Sequence, residues 1–132
     1  MLEKLMSFCL FFMVMYRFIE VESKGYGVYD LYPYIKDFVS SVGVENGLIL
    51  VFAVDELCSI ITIEYEPRLL SDLEILLDKL KVNDYVKSTL FSKSTTIPVV
   101  NRIIELGGFQ QVCMLDLSRK EGKKKVLLQV IT

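Results

Sequence analysis

The stretch GLILVFAVDELCSIITIEYEP, from Gly47 to Pro67, decides the fold. Gly47 to Val54 is an unbroken apolar run opened by the turn-like Glu45-Asn46-Gly47, the pattern of a strand covered on both faces. Ser59 to Tyr65 is a second such run, in which Ile60, Thr62 and Glu64 share one face by parity. Only Asp55, Glu56, Leu57 and Cys58 separate the two runs, which predicts an antiparallel hairpin with a short acidic connection. Pro67 then opens a helix in which Leu69, Leu70, Leu73, Leu76, Leu77 and Leu80 form the inward side, with Asp72, Glu74, Asp78 and Lys79 outside.

Upstream, Tyr16 to Ser23 (YRFIEVES) alternates apolar and polar residues, as a strand with one wet face does, and Lys24-Gly25-Tyr26-Gly27 turns the chain back. From Asp30, a residue able to cap a helix, Leu31, Tyr34, Ile35, Phe38, Val39 and Val42 recur at helical spacing, and Gly43 offers a left-handed stop. Downstream, Val82 to Thr96 is polar enough to read as a loop. Ile97 to Val100 and Ile103 to Leu106 are short apolar pieces around Asn101-Arg102, and Phe109 to Leu117 with Lys124 to Ile131 predict a final hairpin closed by Ser118 to Lys123. Strands and helices do not alternate regularly, so the order favours an α+β layer fold in one domain, residues 1–132. Two helices cover only one face of a sheet, and the two-sided apolar strands then require a second sheet or another subunit.

Composition points the same way. The chain has 132 residues, 52% of them hydrophobic against 24% charged, and a mean hydropathy of +0.43, more apolar surface than one small core hides. A net charge of −2 and a pI near 5.2 give no global attraction to nucleic acid or to an anionic membrane. Cys9, Cys58 and Cys113 are odd in number, widely spaced and each in an apolar run, which suits buried reduced thiols and a cytoplasmic protein. Residues 1–15 add an apolar segment whose run Ser7 to Tyr16 is too short to span a bilayer and continues into bulky and charged residues, so it reads as a strand.

No histidine is present, which removes the side chain most used for proton transfer near neutral pH and for zinc or iron ligation. The carboxylates Asp55, Glu56, Glu64 and Glu66 flank one end of the predicted hairpin and could hold a hard cation such as magnesium, although an acidic turn with strand-end charges accounts for them better. The basic run Arg119, Lys120 and Lys123 to Lys125 has no interleaved aromatic residues to stack bases, so it reads as a solvated turn. The two Lys-Ser-Thr pieces lack the glycines of a phosphate-cradling loop. Gly107-Gly108 permits a tight bend before Phe109, and Gln110 could present its amide to a cleft.

Five of these pieces, in order, resemble the YjbQ-like family, also called the secondary thiamine-phosphate synthase family: SVGVENGLILVF (Ser41 to Phe52), IEYEPRLLSDL (Ile63 to Leu73), TIPV (Thr96 to Val99), GGFQ (Gly107 to Gln110) and VLLQVI (Val126 to Ile131). The resemblance covers about Tyr16 to Ile131. It implies a two-layer α+β sandwich of mostly antiparallel sheet with two main helices, assembled as a ring-like homotrimer, with a site for metal or a small phosphorylated ligand near the subunit boundary. The family's histidine-threonine-threonine motif falls on Asp55-Glu56-Leu57, and its longer, histidine-bearing segment is reduced to about Val86 to Thr95. Glu64 matches the family's pocket glutamate, Asp72 its helix aspartate and Gln110 its glutamine, and Phe109 stands for its tryptophan. The resemblance therefore implies a remnant pocket of Asp55, Glu64, Asp72 and Gln110 on a homotrimeric scaffold that has lost its catalysis and needs no cofactor. The alternative is binding of a small phosphorylated ligand, or weak thiamine-phosphate synthase-like activity, with magnesium on Asp55 and Glu64. Neither reading calls for nucleic acid or a membrane.

Overall fold

The computed structural model describes residues 15–132, so the strand expected in residues 1–15, and Cys9 with it, lies outside the described residues apart from Met15. Eight strands and three helices follow in the order β1 (Tyr16–Ser23), β2 (Gly27–Asp30), α1 (Tyr32–Val42), β3 (Gly47–Ala53), β4 (Cys58–Glu64), α2 (Pro67–Lys79), α3 (Asp84–Ser88), β5 (Ser94–Val100), β6 (Ile103–Ile104), β7 (Gln110–Asp116) and β8 (Gly122–Ile131). They build two antiparallel sheets, one of order β1-β8-β3-β5-β6 and one of order β2-β7-β4. The fold is thus an α+β sandwich of mostly antiparallel sheet.

Parity decides which side chains meet between the layers. Ile19 and Val21 of β1, Ile49, Val51 and Ala53 of β3, Ile97 and Val99 of β5, and Val126, Leu128 and Val130 of β8 point inward. There they meet Cys58 and Ile60 of β4, Val112 and Met114 of β7, and Ile35, Phe38 and Val39 of α1. A smaller cluster lies on the far side of the three-stranded sheet, where Leu77 and Leu73 of α2 pack on Leu115, Leu117 and Ile61. The helices therefore serve different layers: α1 completes the inter-sheet core and α2 covers the three-stranded sheet from outside.

Both expected hairpins are replaced by arches. β3 pairs with β5 and β8, while β4 pairs with β7, so the chain crosses from one sheet to the other between Val54 and Leu57. Likewise β7 and β8 belong to different sheets, and the chain crosses through Ser118 to Glu121. The same short polar connection can close a hairpin or step between layers, and what selects the step here is polar anchoring. The Asp55 carboxylate accepts the Lys125 N–H of β8, and the Lys93 ammonium donates to the carbonyls of Asp55 at 2.6 Å and Cys58 at 2.7 Å. Leu57 and Arg119 adopt left-handed φ values of 63° and 57° to turn the corners. The connection after β1 stacks on them at the same pole, where a Cβ on Gly25 would sit 2.9 Å from the Lys120 nitrogen.

Two smaller expectations also change. Val82 to Thr96 is not a plain loop: Asn83 accepts the Tyr85 N–H at 2.7 Å to cap α3, and β5 already begins at Ser94. Asp30 acts one residue earlier than expected, accepting the Tyr32 N–H at 3.0 Å while Leu31 holds the cap position of α1. Gly43 ends that helix in the left-handed conformation, φ 75°, as its spacing predicts.

Candidate functional site

The arch pole bears a polar cleft of about 390 Å³, walled by Asp55, Glu56 and Leu57 on one side and by Asn83, Asp84, Ser118, Arg119, Lys120 and Lys124 on the other. Behind two of the lining residues, Ser118 and Lys124, lies Asp116, the last residue of β7, which has inward parity and no exposed surface. The Asp116 carboxylate accepts the Ser23 hydroxyl at 2.5 Å and the Ser118 N–H at 2.8 Å, and the Lys124 ammonium stands 4.0 Å away. Burial alone would push this carboxyl up, but the donors from Ser23 and Ser118, with Lys124, hold it below its ordinary value. Cys58 lies close by, its thiol pushed up to about 12 by burial and by Asp116. It is a protonated, fully buried thiol and cannot serve as a nucleophile at neutral pH.

Of the cations lining or flanking the cleft in the run Arg119 to Lys125, all but Lys120 have a side-chain partner among the described residues. Arg119 donates to Asp84 at 3.0 Å, which raises its guanidinium above the usual value, and lies 4.5 Å above the Tyr26 ring. Lys124 donates to the Ser118 hydroxyl at 3.1 Å, Lys123 stands 3.6 Å from Glu20, and Lys125 lies 5.4 Å from the Phe18 ring centre. Arg119 and Lys123 to Lys125 are thus taken up by contacts with α3, β1 and the second connection, not left as a free basic tip.

The four expected pocket residues do not converge within one chain. Asp55 lines the cleft, but its carboxylate is engaged by the β8 backbone. Glu64 and Gln110 are register partners at the other end of the three-stranded sheet, both exposed. Cys58 and Glu64 stand at opposite ends of β4, roughly 20 Å apart at the usual strand rise. The carboxylates expected at one end of a hairpin are therefore divided, Asp55 and Glu56 at one pole, Glu64 and Glu66 at the other. Asp72 lies exposed on α2. Among the described residues no three His, Cys, Asp or Glu side chains are grouped to hold a metal ion, and Asp55 and Glu64 of one chain cannot share magnesium.

Beside Gln110 is a shallow cavity of about 340 Å³ lined also by Tyr32, Leu106, Gly108 and Phe109, and the Phe109 ring is 85% exposed. Asp116 and Ser23 are not among the residues singled out in the sequence, and Lys124, read there as part of a solvated turn, is instead largely buried beside Asp116. Their signal is present in the sequence: VCMLDL places one aspartate on the inward parity of an otherwise apolar run.

Two arched antiparallel sheets with one helix in the core and one outside define the class as a small α+β double-sheet protein. Within it the chain belongs to the YjbQ-like UPF0047 family, whose model matches residues 17–132. A UPF0047 protein of Methanothermobacter thermautotrophicus is 25% identical over 109 residues, 72% of this chain and 76% of that protein. An X-ray structure of a structural genomics target from C. acetobutylicum superposes with a TM-score of 0.82 at 23% identity, over 89% of this chain and 99% of that one. A hypothetical protein from Aeropyrum pernix K1 gives a TM-score of 0.76 at 22% identity, over 88% and 97% of the two chains. At these identities the solved structures speak to fold alone.

Proposed function

We propose that the protein is a homotrimeric scaffold that keeps the family fold without the family's histidine chemistry, and that it works in the cytoplasm. The observation carrying the reading is the outer face of the five-stranded sheet. Register aligns Phe18, Leu127 and Phe52 in one row across it and Leu48, Ile131 and Pro98 in another, with Val100 and Ile103 at the β6 edge. No helix of the described residues packs on this side, and Phe18 is 51% and Ile103 60% exposed. Five strands at the usual spacing make a face of roughly 19 by 20 Å, on the order of 400 Å² of largely apolar surface, which favours burial against another subunit. The face supports self-association, and the number three rests on the family resemblance. The reduced cysteines Cys58 and Cys113 suit the cytoplasm.

Sedimentation of the purified protein together with an assay for thiamine-phosphate synthase activity tests the reading: an assembly without turnover is expected. Turnover that disappears on Glu64→Gln would refute the loss of catalysis. A second reading, retention of a small phosphorylated ligand, is favoured by the cleft at Asp55, where Lys120, Lys124 and Ser118 could meet an anion. Calorimetric titration with thiamine phosphate, with and without magnesium, decides it, since absence of heat in both titrations leaves the scaffold alone.

A further inference from the structure

A third cavity, of about 480 Å³, lies between α1 and the turn from β5 to β6. Tyr32, Lys36, Val39 and Ser40 recur at the spacing of one helix stripe and bring that side of α1 to it. Val39 and Val44, both buried, form its apolar part together with Ile103 and Ile104. Its charged groups are Lys36 and Arg102, and no carboxylate is among the residues that line it. The groove is therefore apolar along its length and purely cationic in its charge.

Neither cation is there to hold the fold together. Lys36 is exposed and takes part in no ion pair among the described residues. Arg102 donates to Glu45 at 2.7 Å, but the two side chains are 75% and 61% exposed, and such a pair contributes little in water. Arg102 is also held against its backbone preference. Asn101 and Arg102 turn the chain between Val100 and Ile103 with left-handed φ values of 50° and 66°, a hairpin geometry whose second position glycine fills with least strain. An exposed ion pair is too weak a reason to keep an arginine there, and its place as a cation on the cavity wall supplies a better one. Two cations against the single carboxylate of Glu45 leave one positive charge uncompensated.

We propose that this groove binds an amphiphilic carboxylate, its hydrocarbon body lying on Val39, Val44, Ile103 and Ile104 and its head group accepting from Lys36 and Arg102. One uncompensated positive charge matches a monoanion better than a doubly charged phosphate. An apolar cavity of about 150 Å³ holds a benzene ring, so roughly three times that space takes a chain of about eight carbons. Tyr32 and Ile104 also border the shallow cavity beside Gln110, which leaves the far end of the groove open for the chain. The site shares no residue with the arch-pole cleft and only Ile103 with the exposed sheet face, so it stands or falls independently of the scaffold reading.

The test uses the full chain and three probes of one length: octanoate, octanol and octylammonium. Chemical-shift titration should give saturable binding of octanoate, with shifts at Val39, Val44 and Ile104, and with octanol and octylammonium each at least about tenfold weaker. Lys36→Gln and Arg102→Gly should each weaken octanoate about tenfold. Both leave the fold intact, since Lys36 is exposed and glycine accepts the left-handed turn at position 102. Ser40→Trp, at an exposed residue of the same stripe, should abolish binding by filling the groove and spare both cations. Equal affinity for the three probes, octanoate binding that none of these variants diminishes, shifts confined to the outer face of the five-stranded sheet, or no saturable response to octanoate would overturn the proposal.

Discussion

At the scale of single residues, Asp116 joins the two layers more directly than any apolar side chain. One carboxylate on β7 receives a hydroxyl from β1 and an N–H from the second arch and faces an ammonium from β8, so its loss strands donors from three places at once. Asp116→Ala should cost about 3 kcal/mol in denaturant unfolding, within the range for breaking a buried charged network. The pH dependence has a definite sign. Because the folded-state carboxyl sits below its ordinary value of 3.8, its contribution is fully present above that value and is lost as the pH falls through the lower, folded-state one. Acid titration of the wild type should therefore show stability falling below about pH 4, and Asp116→Asn should flatten that limb. The thiols behave oppositely: Cys58 and Cys113, each pushed up to about 12 chiefly by burial, should resist alkylation at pH 8. In a Cys9→Ser background, thiol titration should count none in the folded protein and two after denaturation, and rapid labelling of folded protein would contradict this burial.

At the scale of elements, the connections are set by contacts that lie far apart in sequence. Helix α2 was legible because its signals are local, Pro67 in the first turn and leucines at helical spacing, and the structure adds a cap absent from the sequence reading, Glu66 accepting the Arg68 N–H at 3.1 Å and the Leu69 N–H at 3.2 Å. Gly43 at the end of α1 was legible for the same reason. Strand partners were not, because the residues that turn GLILVFAV away from SIITIEY are Lys93 and Lys125, distant in the chain. Period-two alternation gives the face of a strand and nothing about its neighbour, so the inward parity of Ile60 could be read while its sheet could not. The carboxylate cluster expected at one end of the hairpin is divided for this reason: Asp55 and Glu64, close in sequence, stand at opposite poles of one chain once the hairpin becomes an arch. Two substitutions separate the local from the long-range device. Glu66→Ala removes a cap and should cost about 1 kcal/mol. Gly25→Ala combines a left-handed φ of 96° with a contact of 2.9 Å to the Lys120 backbone, which has no flexible side chain to yield. It should cost more, about 2 kcal/mol or above, and a smaller loss than that of Glu66→Ala in thermal unfolding would show that the arches are not tightly stacked.

At the scale of the whole molecule, the apolar surplus among the described residues has a location. Inner faces, α1 and α2 account for the buried aliphatic residues, while the outer face of the five-stranded sheet keeps Tyr16, Phe18, Leu48, Phe52 and Ile131 in water. Leu127 lies in register between Phe18 and Phe52, near the middle of that face, and is only half-buried in a single chain. Leu127→Glu should therefore be tolerated by the isolated fold, since its carboxylate would remain in water. In an assembly the same carboxylate would be buried against apolar neighbours in every copy, at a cost of several kcal/mol per ion. Light scattering should then show wild type at three times the chain mass of 15.2 kDa and Leu127→Glu at the chain mass, with unchanged circular dichroism. Tyr85→Glu, at an exposed residue of α3 and outside the five-stranded sheet, should leave the assembly intact. A wild-type monomer, or a Leu127→Glu variant that still assembles, would mean that this sheet face does not join copies of the chain, and the exposed Phe109 would become the next surface to examine.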